Sequence, residues 1–187
     1  MAKKQVKTPL DLLKKYAKIF KKSNFDMSLE TVKSTFAHVY YIWRTLKPEL
    51  PYEDALSLYG GVWDSVAEVS VASAKRILGI DEVKNIQQLG EIMQYCFTVV
   101  PCVYETVKST PDEVIGHILW CANPCYGPAD NIELRHDYYR QEAKLSVQYI
   151  RTVARLCGME DKAFVDQDLF QCRDGSTDFC RIIIRKK

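Results

Sequence analysis

Apolar positions recur at helical spacing through the first half of the chain and at nearly every second position in much of the second half. Between Pro9 and Lys22, residues Leu10, Leu13, Ala17 and Phe20 share one helix face. Thr8 can cap that helix, Pro9 fits its first position, and Asp11 favours the positive end of its dipole. Ser28 can cap a second helix reaching about Leu46, with Val32, Phe36, Val39, Tyr40, Trp43 and Leu46 on its apolar side. Pro51 opens a third helical stretch, which Gly60-Gly61 is expected to break or kink and Gly79 to end. Its segment Gly61–Leu78 is rich in Ala, Val and Ser, so it can pack closely against a neighbour. A fourth, shorter helix should cover about Ile86–Phe97.

The period then changes to two. Thr98–Val107 reads as a strand, Ser109-Thr110-Pro111-Asp112 as a turn and Glu113–Cys121 as the returning strand. Asn123–Asn131, with Pro124, Gly127 and Pro128, is a loop, and a long helix follows over about Asp137–Cys157 with Gly158 placed to terminate it. Ala163–Gln171 and Asp178–Ile184 are two more strands around Asp174-Gly175, a strong hairpin signal. Helices followed by antiparallel hairpins predict an α+β fold. Its helical N-terminal half would pack on a four-stranded antiparallel sheet, made of two hairpins separated by a long helix. Residues 1–187 are expected to form a single domain, with 1–97 mainly helical and 98–187 strand-strand-helix-strand-strand.

Composition narrows the setting. A hydrophobic share of 47% in 187 residues suits one sizeable core. No apolar run approaches the ~18 residues of a membrane span. The seven cysteines are an odd number and no export signal precedes them, which points to the reducing cytoplasm. The net charge of +2 carries no strong nucleic-acid bias, although residues 1–22 hold eight lysines against one aspartate. That basic head reads as a solvated helix face. The expected partner is a small-molecule ligand, with neither nucleic acid nor membrane, and a homo-oligomer is left open.

The candidate chemistry gathers at the end of the second strand, where His117, Trp120, Cys121 and Cys125 fall within nine residues. Strict alternation puts His117, Leu119 and Cys121 on one strand face, with His117 and Cys121 about 13 Å apart along it. That spacing excludes a direct Cys-His dyad. A thiol nucleophile at Cys121 would need a base from the following segment, either His136 or Asp130. Trp120, Asn123, Tyr126, Arg135 and Tyr138 could line a polar pocket for a small carboxylate or zwitterion, Arg135 offering a bidentate fork and Asn123 an amide. An ordinary buried cysteine and a solvated, helix-capping loop account for the same residues without chemistry. No cofactor is required by this reading. Cys121, Cys125, Cys172 and Cys180 form an alternative four-thiolate set for zinc or an iron centre, of which only Cys121-x3-Cys125 has usual ligand spacing. Tyr40, Tyr41, Trp43, Tyr59 and Trp63 could wall an apolar cavity between the N-terminal helices and the sheet, although at helical spacing such residues are more often core.

The run Ala74-Lys75-Arg76-Ile77-Leu78-Gly79-Ile80, followed by Glu82-Val83-Lys84-Asn85-Ile86-Gln87-Gln88-Leu89-Gly90-Glu91-Ile92, resembles the L-2-amino-thiazoline-4-carboxylic acid hydrolase-like proteins. So do the strand ending in Cys121 and the final hairpin from Asp174-Gly175 to Asp178-Phe179-Cys180. The order of helices and hairpins is also similar to that of 4-vinyl-reductase-like small-molecule-binding domains. The first resemblance implies hydrolysis of a C–N or C–S bond in a cyclic sulfur-containing amino acid or similar compound. Cys121 would then attack or polarise, Asp130 or His136 would move protons, and Arg135 would hold a carboxylate. The alternative is a non-enzymatic small-ligand-binding or thiol/metal sensor module.

Overall fold

The computed structural model describes residues 42, 45, 49–100, 102–121, 132–169 and 179–187, with the backbone path alone at 120–121 and 132–143. The expected helices before Pro51 and the loop 122–131 lie outside the described residues. The described elements are α1 (Tyr52–Leu78), α2 (Ile86–Val99), β1 (Cys102–Ser109), β2 (Glu113–Cys121), α3 (Ile132–Leu156), β3 (Ala163–Leu169) and β4 (Cys180–Lys186). They build an α+β fold on a four-stranded antiparallel sheet of order β1-β2-β4-β3.

Helix α1 begins directly after Pro51, whose carbonyl accepts from Ala55 N at 3.0 Å. Glu53 and Asp54 in its first turn and Lys75 and Arg76 in its last complement the helix dipole. It ends at Gly79 in the left-handed conformation (φ 66°), where Ile80 N bonds back to Lys75 O at 2.9 Å. The expected break at Gly60-Gly61 does not occur, since α1 runs through both. Each glycine costs a helix only about 1 kcal/mol. The stripe Ala55, Tyr59, Trp63, Ala67, Val71 and Ala74 is buried, and that burial outweighs the cost. Gly60 has a packing reason: a β-carbon there would stand 2.7 Å from Gln148 Oε1 of α3, so its absence lets the helices approach closely. Thr152 and Gln148 then donate to the Asp64 carboxylate at 2.6 and 3.1 Å, joining α3 to α1.

Helix α2 is capped by Asn85, which accepts from Gln88 N at 2.9 Å, while Gln88 Oε1 accepts from Lys84 N at 2.8 Å. It continues to Val99, two residues beyond the expected end. The strand expected from Thr98 therefore starts only at Cys102 and ends at Ser109. Thr98 and Val99 favour strands by propensity, but Thr98 keeps the helical turn by donating to Gln94 O at 2.8 Å. The hairpin turn is as expected: Thr110 donates through its amide and its hydroxyl to Glu113 O, at 2.9 and 3.0 Å.

The inner sheet face carries Cys102, Tyr104, Val114, Ile118, Val165, Cys180, Ile182 and Ile184, all buried. Helices α2 and α3 cover this face, and α1 lies across those two helices rather than on the sheet. Gly90 lets α2 sit against β2, since a β-carbon there would meet Val114 Cγ1 at 2.8 Å. The outer face carries exposed Val103, Leu119 and Phe164 among ion pairs, including Arg181–Asp168 at 2.5 Å and Arg185–Glu113 at 2.7 Å.

One irregularity bears on the candidate site. The β1/β2 pairing shifts between Val103/Tyr104, so that Val103 pairs with Trp120 and Tyr104 with Ile118, leaving Leu119 as an extra residue on β2. A second shift between Thr106 and Lys108 leaves Val107 extra on β1.

Candidate functional site

Cys121 is the last residue of β2, and its backbone pairs with Cys102, the first residue of β1. The bulge at Leu119 interrupts strict alternation, so alternation no longer assigns Cys121 to the face of His117. That expectation is corrected. His117 lies on the outer side of the sheet, paired with Glu105 and Arg181, and its ring stacks on Phe179 at 3.9 Å and 17°.

The remaining predicted residues divide in two. Asn123, Cys125, Tyr126, Asp130 and Cys172 lie outside the described residues. Arg135, His136 and Tyr138 are placed by their backbone in the first turns of α3, which begins at Ile132 rather than near Asp137. Arg135 and His136 are thus helix residues and not loop residues. Ile132 and Leu145 bracket a polar stretch whose helical character the hydrophobic pattern marks only weakly. Cys180 is buried on β4 opposite Ile118. Among the described residues, no group of three or more His, Cys, Asp or Glu is placed to hold a metal.

Behind this end of the sheet is a continuous array of aromatic rings, one from each surrounding element. Trp63 of α1 meets Tyr149 of α3 edge-on at 6.1 Å, and Tyr149 meets Phe97 of α2 at 5.6 Å. Phe97 stacks on Tyr104 of β1 at 5.5 Å and 9°. Tyr104 lies directly over Gly116 of β2, where its hydroxyl and ring tip occupy the space a β-carbon would need. Trp63, Tyr104 and Tyr149 retain only 9%, 8% and 3% of their exposure. Their polar atoms Nε1, Oη and Oη have no hydrogen-bond partner among the described residues. Ser70 and Cys96 stand near the Tyr149 hydroxyl, yet neither completes a hydrogen bond with it. An unpaired buried hydroxyl or indole N–H costs about 1–3 kcal/mol, so three in one array demand a cause.

Two of the buried thiols are held protonated. Burial, reinforced by Cys157, pushes Cys96 up to about 12, and burial pushes Cys157 up to about 11 against the opposing charge of Lys75. Both stay protonated at neutral pH and are poor nucleophiles. Burial likewise raises the Tyr104 and Tyr149 phenols well above their ordinary range. All four groups are held neutral.

No family model, no curated protein and no solved structure matches this chain. Among the described residues, no helix is long and apolar enough to cross a membrane.

Sequence reasoning picked out Tyr59 and Trp63 as possible cavity walls and missed Tyr104, Phe97, Tyr149 and Cys96. Alternation could have put Tyr104 on the inner face once the strand start was known. Spacing along α3 could have put Tyr149 beside Leu145, Thr152 and Val153. The unpaired state of their polar tips leaves no trace in a single sequence.

Proposed function

We propose that this protein binds a small molecule in the interior beside the Cys102–Cys121 end of the sheet. The reading rests on three buried polar atoms, of Trp63, Tyr104 and Tyr149, that have no partner among the described residues. Polar groups in a pocket otherwise lined by apolar and aromatic side chains are how small-ligand sites fix orientation. A fitting ligand is compact and largely flat, with an acceptor for the Trp63 indole N–H and groups that exchange hydrogen bonds with the two phenols. The neutral walls favour an uncharged ring.

A hydrolytic reading stays attached to Cys121. Burial holds Cys96 and Cys157 protonated, and the thiol of Cys121 at the strand end is the candidate nucleophile of this reading. In that reading the Cys121 thiol adds to the C=N carbon, the C–S or C–N bond opens as Asp130 or His136 delivers a proton to the leaving atom, and water then displaces the thiol from that carbon to release the product.

The test is NMR titration with 2-amino-thiazoline-4-carboxylic acid and a panel of flat heterocyclic acids and amides. The indole Nε1–H signal of Trp63 is assigned with Trp63→Phe. Binding should move that signal, and Tyr149→Phe should weaken the interaction about tenfold, the worth of one hydrogen bond. If every compound leaves the Trp63 signal in place, the reading is wrong. Product formation abolished by Cys121→Ala would add the hydrolytic step, and binding without turnover would remove it.

A further inference from the structure

On the far side of α3, away from the aromatic array, a groove of about 570 Å³ runs between that helix and β3. Its helix wall is the stripe Lys144, Gln148, Arg151 and Arg155, and its strand wall is Ala163–Val165. Among the described residues β3 is an edge strand, hydrogen-bonded to β4 alone. Lys187 N donates to Lys162 O at 3.0 Å, which fixes the phase of the ladder. Antiparallel rungs alternate, so Phe164 turns its backbone groups toward β4, and Ala163 and Val165 turn theirs to the open edge. The Ala163 amide is taken by Met159 O at 2.8 Å. The Val165 amide and carbonyl and the Ala163 carbonyl face the groove, the pattern to which an extended chain adds.

Length and charge define what fits. From Lys144 to Arg155 the helix rises about 16 Å, the length of about five extended residues. Four cations (Lys144, Arg151, Arg155 and Lys187) and the carboxylate of Glu160 line the groove, and Lys144 also meets Glu53 at 3.4 Å in an exposed pair. Arg155 has no ion pair among the described residues. Arg151 holds Asp166 at 3.4 Å with the arginine exposed and the carboxylate half-buried, a long pair open to exchange. The basic head of this same chain, eight lysines and one aspartate in residues 1–22, has the wrong sign for the groove.

We propose that this groove receives an extended acidic segment of a partner protein, which pairs as a fifth strand with the edge of β3. Alternate carboxylates of that segment face Lys144, Arg151 and Arg155. The intervening residues turn to the outer face beside Phe164, which is 43% exposed, and are apolar.

The test is fluorescence polarisation with a short labelled peptide alternating glutamate and valine. Binding should weaken as salt is raised. It should vanish when lysine replaces glutamate, or when the edge-facing amides of the peptide are N-methylated. The double variant Arg151→Glu/Arg155→Glu changes two exposed side chains, and an unchanged circular dichroism melt establishes that it folds. It should bind at least about tenfold more weakly. The proposal fails if the acidic peptide does not bind, if N-methylation has no effect, or if the double variant binds as wild type. It also fails if a single-stranded oligothymidylate displaces the peptide at lower concentration, which would make the groove a general polyanion site.

Discussion

Tyr149→Phe should make the unliganded protein more stable. The substitution removes one oxygen and keeps the ring, so the edge-on contacts with Trp63 at 6.1 Å and Phe97 at 5.6 Å survive. The hydroxyl is buried without a partner among the described residues, a state that costs about 1–3 kcal/mol. Against this stand the dispersion contacts of a single atom, a few tenths of a kcal/mol at about 0.1–0.2 each. The net expectation is a gain of about 1 kcal/mol, or about 2–4 °C in Tm for a chain of this size. Urea titration measures it, and an unchanged slope shows that the transition remains comparable. Ligand reverses the order. Wild type gains about 2.7 kcal/mol at a ligand concentration of 100 Kd, and the variant, binding more weakly, gains less. If Tyr149→Phe instead loses more than about 1 kcal/mol without ligand, the hydroxyl is already satisfied and the argument for a polar interior site collapses.

Alkaline titration gives an independent check. Cys96 and Cys157 keep their protons in the native state to about 12 and about 11, against an ordinary 9.0. Above pH 9 the unfolded chain therefore binds fewer protons than the native one, and stability falls by up to about 1.4 kcal/mol per pH unit for each thiol. Urea midpoints between about pH 8 and about pH 10, below the range where tyrosines dominate, should decline, and Cys96→Ala should flatten the slope. A pH-independent midpoint in wild type would show that these thiols are not buried. Gly61 of α1 should respond differently from Gly116 of β2. Gly61→Ala enters open space and should raise stability by up to about 1 kcal/mol. Gly116→Ala collides with Tyr104 and should cost about 1–3 kcal/mol, or more if the ring cannot shift. Thermal melts of the two variants moving in the same direction would refute the packing described around Tyr104.

Much of the architecture was legible because burial in this chain follows the two simple periods. Ala55, Tyr59, Trp63, Ala67, Val71 and Ala74 mark α1, and Cys180, Ile182 and Ile184 mark the inner face of β4. The errors arose where tertiary contacts overrode local preference. Gly60-Gly61 looked like a break because the partner that fills the space beside Gly60, Gln148, is 88 residues away. Thr98 and Val99 looked like strand because their hydrogen bonds back to α2 are invisible in propensity. The helix start at Ile132 was set too late because residues 133–143 carry few apolar positions, so the periodic signal there is faint. The strand end at Cys121 stood out in the sequence, whereas the polar atoms that lack partners among the described residues depend on the mutual approach of four elements.

The two bulges of the first hairpin cancel. The residue numbers of paired positions sum to 223 at Cys102–Cys121, fall to 222 over Tyr104–Ile118 through Thr106–Gly116, and return to 223 by Ser109–Val114. The hairpin therefore begins and ends in one phase, and only its middle is slipped. That middle is the segment that seats Tyr104 over Gly116. The extra residue at Leu119 thus works as a phase adjuster: it lets the core choose its own facing while the last residues of β2 keep theirs. Removing Leu119 alone would throw the strand end out of phase with the interior beneath it.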